Sequence, residues 1–122
     1  MIDGLVQLVE NIRRHNASSR KLCMIEIGSY SGQSMEIFAH TKHMHTIVCI
    51  DPWQSGYDTS DIASSSNMTA VESLFDKRMN QVISSGTTVL KHKGTIDSFA
   101  LSDSFKRIQG TIDFTIIKML GL

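Results

Sequence analysis

The residues best placed to do chemistry lie close together. They are Glu26, Gly28 and Gly32 within IEIGSYSGQS (Ile25–Ser34), and Asp51 at the head of DPW (Asp51–Trp53). An acid and two nearby glycines read as a strand end opening into a ligand-cradling loop, because glycine permits close backbone approach. Two ligands are disfavoured at once. A dinucleotide loop, Gly-x-Gly-x-x-Gly, needs its middle glycine so that pyrophosphate can reach the main chain. Tyr30 occupies that position and Gln33 the third. A phosphate-binding P-loop needs Gly-Lys-Ser/Thr, and no lysine follows Gly32.

The elements that must position these residues follow from periodicity. Leu5, Val6, Leu8, Val9 and Ile12 recur at helical spacing, with Asp3 placed to cap and Arg13 and Arg14 near the end. A polar break, HNASSR (His15–Arg20), precedes LCMIEI (Leu22–Ile27), whose continuous hydrophobicity predicts a strand buried on both faces. From Ser34 the period becomes helical through Met35, Phe38 and Ala39, and TIVCI (Thr46–Ile50) predicts the next strand. Strand, glycine loop, helix and strand make a βαβ unit. The polar stretch Gln54–Asn67 reads as a long loop. A helix follows with Val71, Leu74, Phe75, Met79 and Val82 on one face and Gly86 past its end. Thr87–His92 is expected as a third strand, Ile96–Leu101 as a short helix and Thr111–Leu120 as a fourth strand.

IEIGSYSGQS resembles the first motif, VEIGSxxGxS, of the class I S-adenosylmethionine-dependent methyltransferases, in particular their small-molecule branch. The resemblance continues through IDPW (Ile50–Trp53), VESLFDKRM (Val71–Met79) and HKG (His92–Gly94). It implies an α/β, Rossmann-like methyltransferase fold: one three-layer αβα domain over residues 1–122, its parallel sheet truncated after the fourth strand. It also implies S-adenosylmethionine as cofactor and a small-molecule methyl acceptor whose identity stays open. On that resemblance the backbone of Gly28, Ser29, Tyr30, Ser31, Gly32 and Ser34 wraps the methionine end, and Glu26 fixes its ammonium group. The positive end of the following helix favours the cofactor's carboxylate. Asp51 takes the ribose hydroxyls, with Pro52 and Trp53 beside it, since a carboxylate can accept two hydrogen bonds from a vicinal diol. Asp97 or the Thr95 backbone is expected to meet the adenine. The family's fourth strand closes on an acid that borders the substrate, and Lys118 stands there instead. No catalytic residue is assigned. A fragment, a shifted reading frame and a naturally short chain all fit that departure.

Plainer readings stand beside these. Trp53 and Tyr57 are read equally as an aromatic lid or as surface packing. His40, His43 and His45 straddle a helix end without a carboxylate or thiolate nearby in sequence, which favours solvated histidines over a metal site. Asp76–Arg78 reads as a solvated helix face, and Cys23 and Cys49 as small buried hydrophobes. Twelve basic and twelve acidic side chains cancel, which argues against a nucleic-acid or anionic-membrane partner. No apolar run reaches the ~20 residues of a membrane span, and no secretory signal opens the chain, so a cytoplasmic location is expected. An exposed edge at the fourth strand favours homodimerisation or aggregation. The alternative to an enzyme is a non-catalytic α/β interaction module that kept the fold.

Overall fold

Four short apolar runs become strands: β1 (Leu22–Ile27), β2 (Met44–Asp51), β3 (Thr88–Lys93) and β4 (Phe114–Ile117). Around them lie α1 (Ile2–His15), α2 (Gln33–His40), α3 (Met68–Val82), α4 (Ile96–Ala100) and α5 (Asp103–Ile108). The structure is a computed structural model and describes residues 2–15, 20–54 and 67–118. Tyr57 lies outside the described residues, as does most of the predicted long loop, and Asp3, expected as the cap, falls inside α1.

The sheet is parallel throughout, in the order β3-β2-β1-β4. The topology reverses between β1 and β4, and that is where parallel sheets open a crevice at their carboxyl ends. Pleating then sorts the strand side chains into two cores. Leu22, Met24, Ile47 and Cys49 pack with Val9 of α1, Met35 and Phe38 of α2, and Phe75 and Val82 of α3. Ile25, Val48 and Ile50 face the other way, against Phe99 of α4 and Phe105 and Ile108 of α5. The result is three layers in a Rossmann-like arrangement. Both cysteines are buried and free, as read from their apolar surroundings. No helix among the described residues is long and apolar enough to cross a membrane.

Several expectations are corrected. Leu74 is 41% exposed, so the buried face of α3 runs through Met68, Phe75 and Val82 instead. A 3-10 turn (Ile83–Ser85) intervenes before Gly86, whose positive φ of 84° ends the segment. Helix α5 has no counterpart in the sequence reading, because only Phe105 and Ile108 among its residues are apolar and none is fully buried. Its start is nonetheless marked, since the Ser102 side chain accepts a hydrogen bond from the Phe105 amide at 3.2 Å. Strand β4 is shorter than the predicted Thr111–Leu120. Asp113 governs its entry: its carboxylate accepts from the Cys23 amide at 2.7 Å and from Arg20 Nη1 at 3.0 Å.

Candidate functional site

The carboxyl ends of β1, β2 and β4 converge on the glycine loop. The chain leaves β1 with the Gly28 amide donating to the Ile50 carbonyl at 2.8 Å. Gly28 has φ 86°, and a Cβ there would stand 2.4 Å from the Lys118 carbonyl oxygen. Both the conformation and the space demand glycine. Gly32, with φ 81°, precedes α2, and a Cβ on it would lie 2.9 Å from the Phe75 ring. Its amide closes the loop on the Ser29 carbonyl at 3.0 Å. No side chain caps the first turn of α2, where Ser34 is buried.

Asp51 staples two segments together. Its Oδ2 accepts from the Tyr30 amide at 3.0 Å and its Oδ1 from the Trp53 amide at 2.7 Å. Tyr30 (φ 53°) and Trp53 (φ 44°) both adopt left-handed backbone, a strained state for bulky residues that these bonds hold in place. The carboxylate is only 3% exposed. Burial raises the Asp51 pKa above the ordinary carboxylate value, opposed by the same two amides. Two of its four acceptor directions are thereby used and two are left.

Trp53 is 4% exposed and belongs to the core. Its indole Nε1 donates to the Tyr30 carbonyl at 2.7 Å, and its ring packs 4.8 Å from that of Phe75. Lys91 Nζ stands 5.0 Å from the indole centroid and is held by Glu72 and Asp76 of α3. Trp53 is thus a brace beneath the loop. Pro52 is half-buried between these two anchors.

Glu26 is the most unusual group in the molecule. It is 0% exposed, and neither carboxyl oxygen has a hydrogen-bond partner among the described residues. The buried Ser29 hydroxyl donates instead to the Glu26 main-chain carbonyl, at 3.4 Å. Burial pushes the Glu26 carboxyl up to about 7, against the pull of Ser29 and Lys118 and with a push from Asp51. A buried carboxyl left unpaired costs free energy that a donor or cation would recover.

The turn after β3 comes to the same place, with the Gly94 amide donating to the Asp51 main-chain carbonyl at 3.0 Å. Thr95 caps α4: its amide donates to Ser98 Oγ and its hydroxyl accepts from the Ser98 amide, both at 3.1 Å. Asp97 lies exposed in the first turn of α4. The histidines are dispersed: His43 Nε2 lies 2.8 Å from Glu10, and His45 Nδ1 lies 2.7 Å from Thr46 Oγ1. Among the described residues no group of three or more His, Cys, Asp or Glu could hold a metal ion. A cavity of about 550 Å³, lined by Arg20, Lys21, Cys23, His45, Thr46 and Arg107 among others, opens by the amino ends of β1 and β2, away from the loop.

Sequence reasoning missed Arg78 and the use of Asp76, reading both as solvated. Arg78 Nη1 donates to the Ser31 carbonyl at 2.9 Å and so ties α3 to the loop. Asp76 accepts from Lys91 at 2.8 Å. Only a tertiary fold places an arginine of α3 within reach of a loop so far away in sequence. No protein-family model matches this chain, and no curated protein matches it.

Proposed function

We propose that this chain binds S-adenosylmethionine at the carboxyl end of its sheet and serves as the cofactor-binding part of a small-molecule methyltransferase. The observation that carries the reading is the fully buried, unpartnered Glu26 carboxyl beside the glycine loop. An α-ammonium group supplies the cationic donor that this carboxyl lacks. The remaining acceptor directions of Asp51 suit the two ribose hydroxyls, and the uncapped first turn of α2 suits a carboxylate. Bound there, the cofactor supplies an electrophilic methyl group on a sulfonium. This chain's residues hold and orient it, and that positioning lowers the barrier to in-line transfer.

Calorimetry with S-adenosylhomocysteine tests the reading. Saturable heat, with amide NMR shifts concentrated at Gly28–Gly32, is expected. No heat at millimolar ligand overturns it.

A second reading, a non-catalytic interaction module, is favoured by Ile117, which is 71% exposed on β4. Hydrogen exchange separates the two. A cofactor binder gains protection at Gly28–Gly32 when ligand is added, whereas a module gains protection at β4 as protein concentration rises.

A further inference from the structure

We infer that Lys118 is a specificity residue that, together with Glu26, selects a ligand carrying an α-amino-acid head group. This rests on the adenosyl-cofactor reading and names the part of the ligand that the β4 side of the crevice contacts.

Three observations place Lys118 there. Its amide donates to the Ile27 carbonyl at 2.8 Å, continuing the β1–β4 ladder past Ile117. Its Cβ lies 3.8 Å from where a Cβ on Gly28 would stand, so the side chain starts beside the glycine turn. Among the described residues it makes no ion pair within 4.0 Å, although its charge is near enough to act on both Glu26 and Asp51.

One acid and one lysine therefore share the switch point between β1 and β4 without joining each other. Asp51 cannot play the acid's part as freely, because two backbone amides already hold it. A purely anionic ligand would meet the Glu26 carboxyl, and a purely cationic one would leave the lysine unmatched. A zwitterion with ammonium and carboxylate on one carbon answers both charges. The carboxylate then lies between the lysine and the open first turn of α2.

The test compares three probes by calorimetry on the wild type, Lys118→Met and Lys118→Arg. S-adenosylhomocysteine carries both charges, its decarboxylated analogue only the ammonium, and methylthioadenosine neither. A charge-assisted hydrogen bond is worth about 1.5–3 kcal/mol, so the wild type should prefer S-adenosylhomocysteine over the decarboxylated analogue by roughly 10- to 100-fold. Lys118→Met should erase that preference while leaving methylthioadenosine affinity unchanged, and Lys118→Arg should restore much of it. Circular dichroism melts check that each variant folds. Equal weakening of all three probes in Lys118→Met, or no preference in the wild type, overturns the inference. Failure of every adenosyl compound to bind the wild type removes the cofactor reading and this inference with it.

Discussion

Glu26 carries its charge at a cost, and the cost depends on pH. In the unfolded chain its carboxyl titrates near the ordinary 4.5, and in the fold burial moves it to about 7. Between those values the folded protein holds a proton that the unfolded chain has released, so stability falls as pH rises through that window and levels off above about 7. At 1.36 kcal/mol per pH unit the penalty reaches about 3 kcal/mol. Glu26→Gln cannot ionise. Its stability relative to the wild type should therefore rise by about 2–3 kcal/mol between pH 5 and pH 8 in urea titrations, and a difference flat with pH would refute the assignment. Asp51 is in a different position, because its oxygens satisfy the Tyr30 and Trp53 amides. Asp51→Ala orphans both donors where the backbone is already left-handed, and should cost about 2–4 kcal/mol in the same measurement. Amide exchange at Tyr30 and Trp53 should accelerate before the rest of the sheet opens.

At the scale of elements, the loop between β1 and α2 is held from four directions: by Asp51 from β2, Trp53 from the segment after it, Arg78 from α3, and the Lys118 main chain from the end of β4. Gly28→Ala tests the last of these. The new methyl would overlap a backbone carbonyl, so either the loop or the end of β4 must move. The expected result is a loss of about 3 kcal/mol or more, with early exchange of the Ile27–Lys118 hydrogen bond, whereas Gly110→Ala, in open space, should be tolerated. The same elements show what the sequence could reveal. The strands β1 and β2 were legible because burial on both faces leaves unbroken apolar runs, and α2 between them because Met35, Phe38 and Ala39 recur at helical spacing. Leu74 misled because periodicity marks a stripe without fixing its edges, and α5 was missed because Phe105 and Ile108 alone do not mark an apolar stripe. Glu26, Gly28, Gly32 and Asp51 stood out as a group by spacing. The Arg78 tether depends on α3 packing beside the loop and the Lys118 position on β4 returning beside β1, and no local pattern encodes either.

For the whole molecule, the two sheet edges differ in a way that bears on association. The β3 edge carries Lys91 and Lys93, both paired to acids of α3, and charged edges resist pairing with another chain. The β4 edge reads Phe-Thr-Ile-Ile, with no charge, no proline and no bulge, and among the described residues β4 pairs only with β1. Thr115 is exposed and Ile117 is 71% exposed. Its outer row of amides and carbonyls is a template for a second strand, and a formal net charge of zero supplies no long-range repulsion to keep copies apart. Sedimentation equilibrium should therefore show a mass rising from 13.6 kDa towards that of a dimer with concentration. Thr115→Lys and Ile117→Lys place a charge on this edge without touching the buried faces, so each should hold the protein monomeric and leave its thermal midpoint almost unchanged. The equivalent charge on β3, Thr88→Lys, should leave association as it was. A wild type that stays at 13.6 kDa across the range, or association that survives both β4 substitutions, would show that this edge is not the contact.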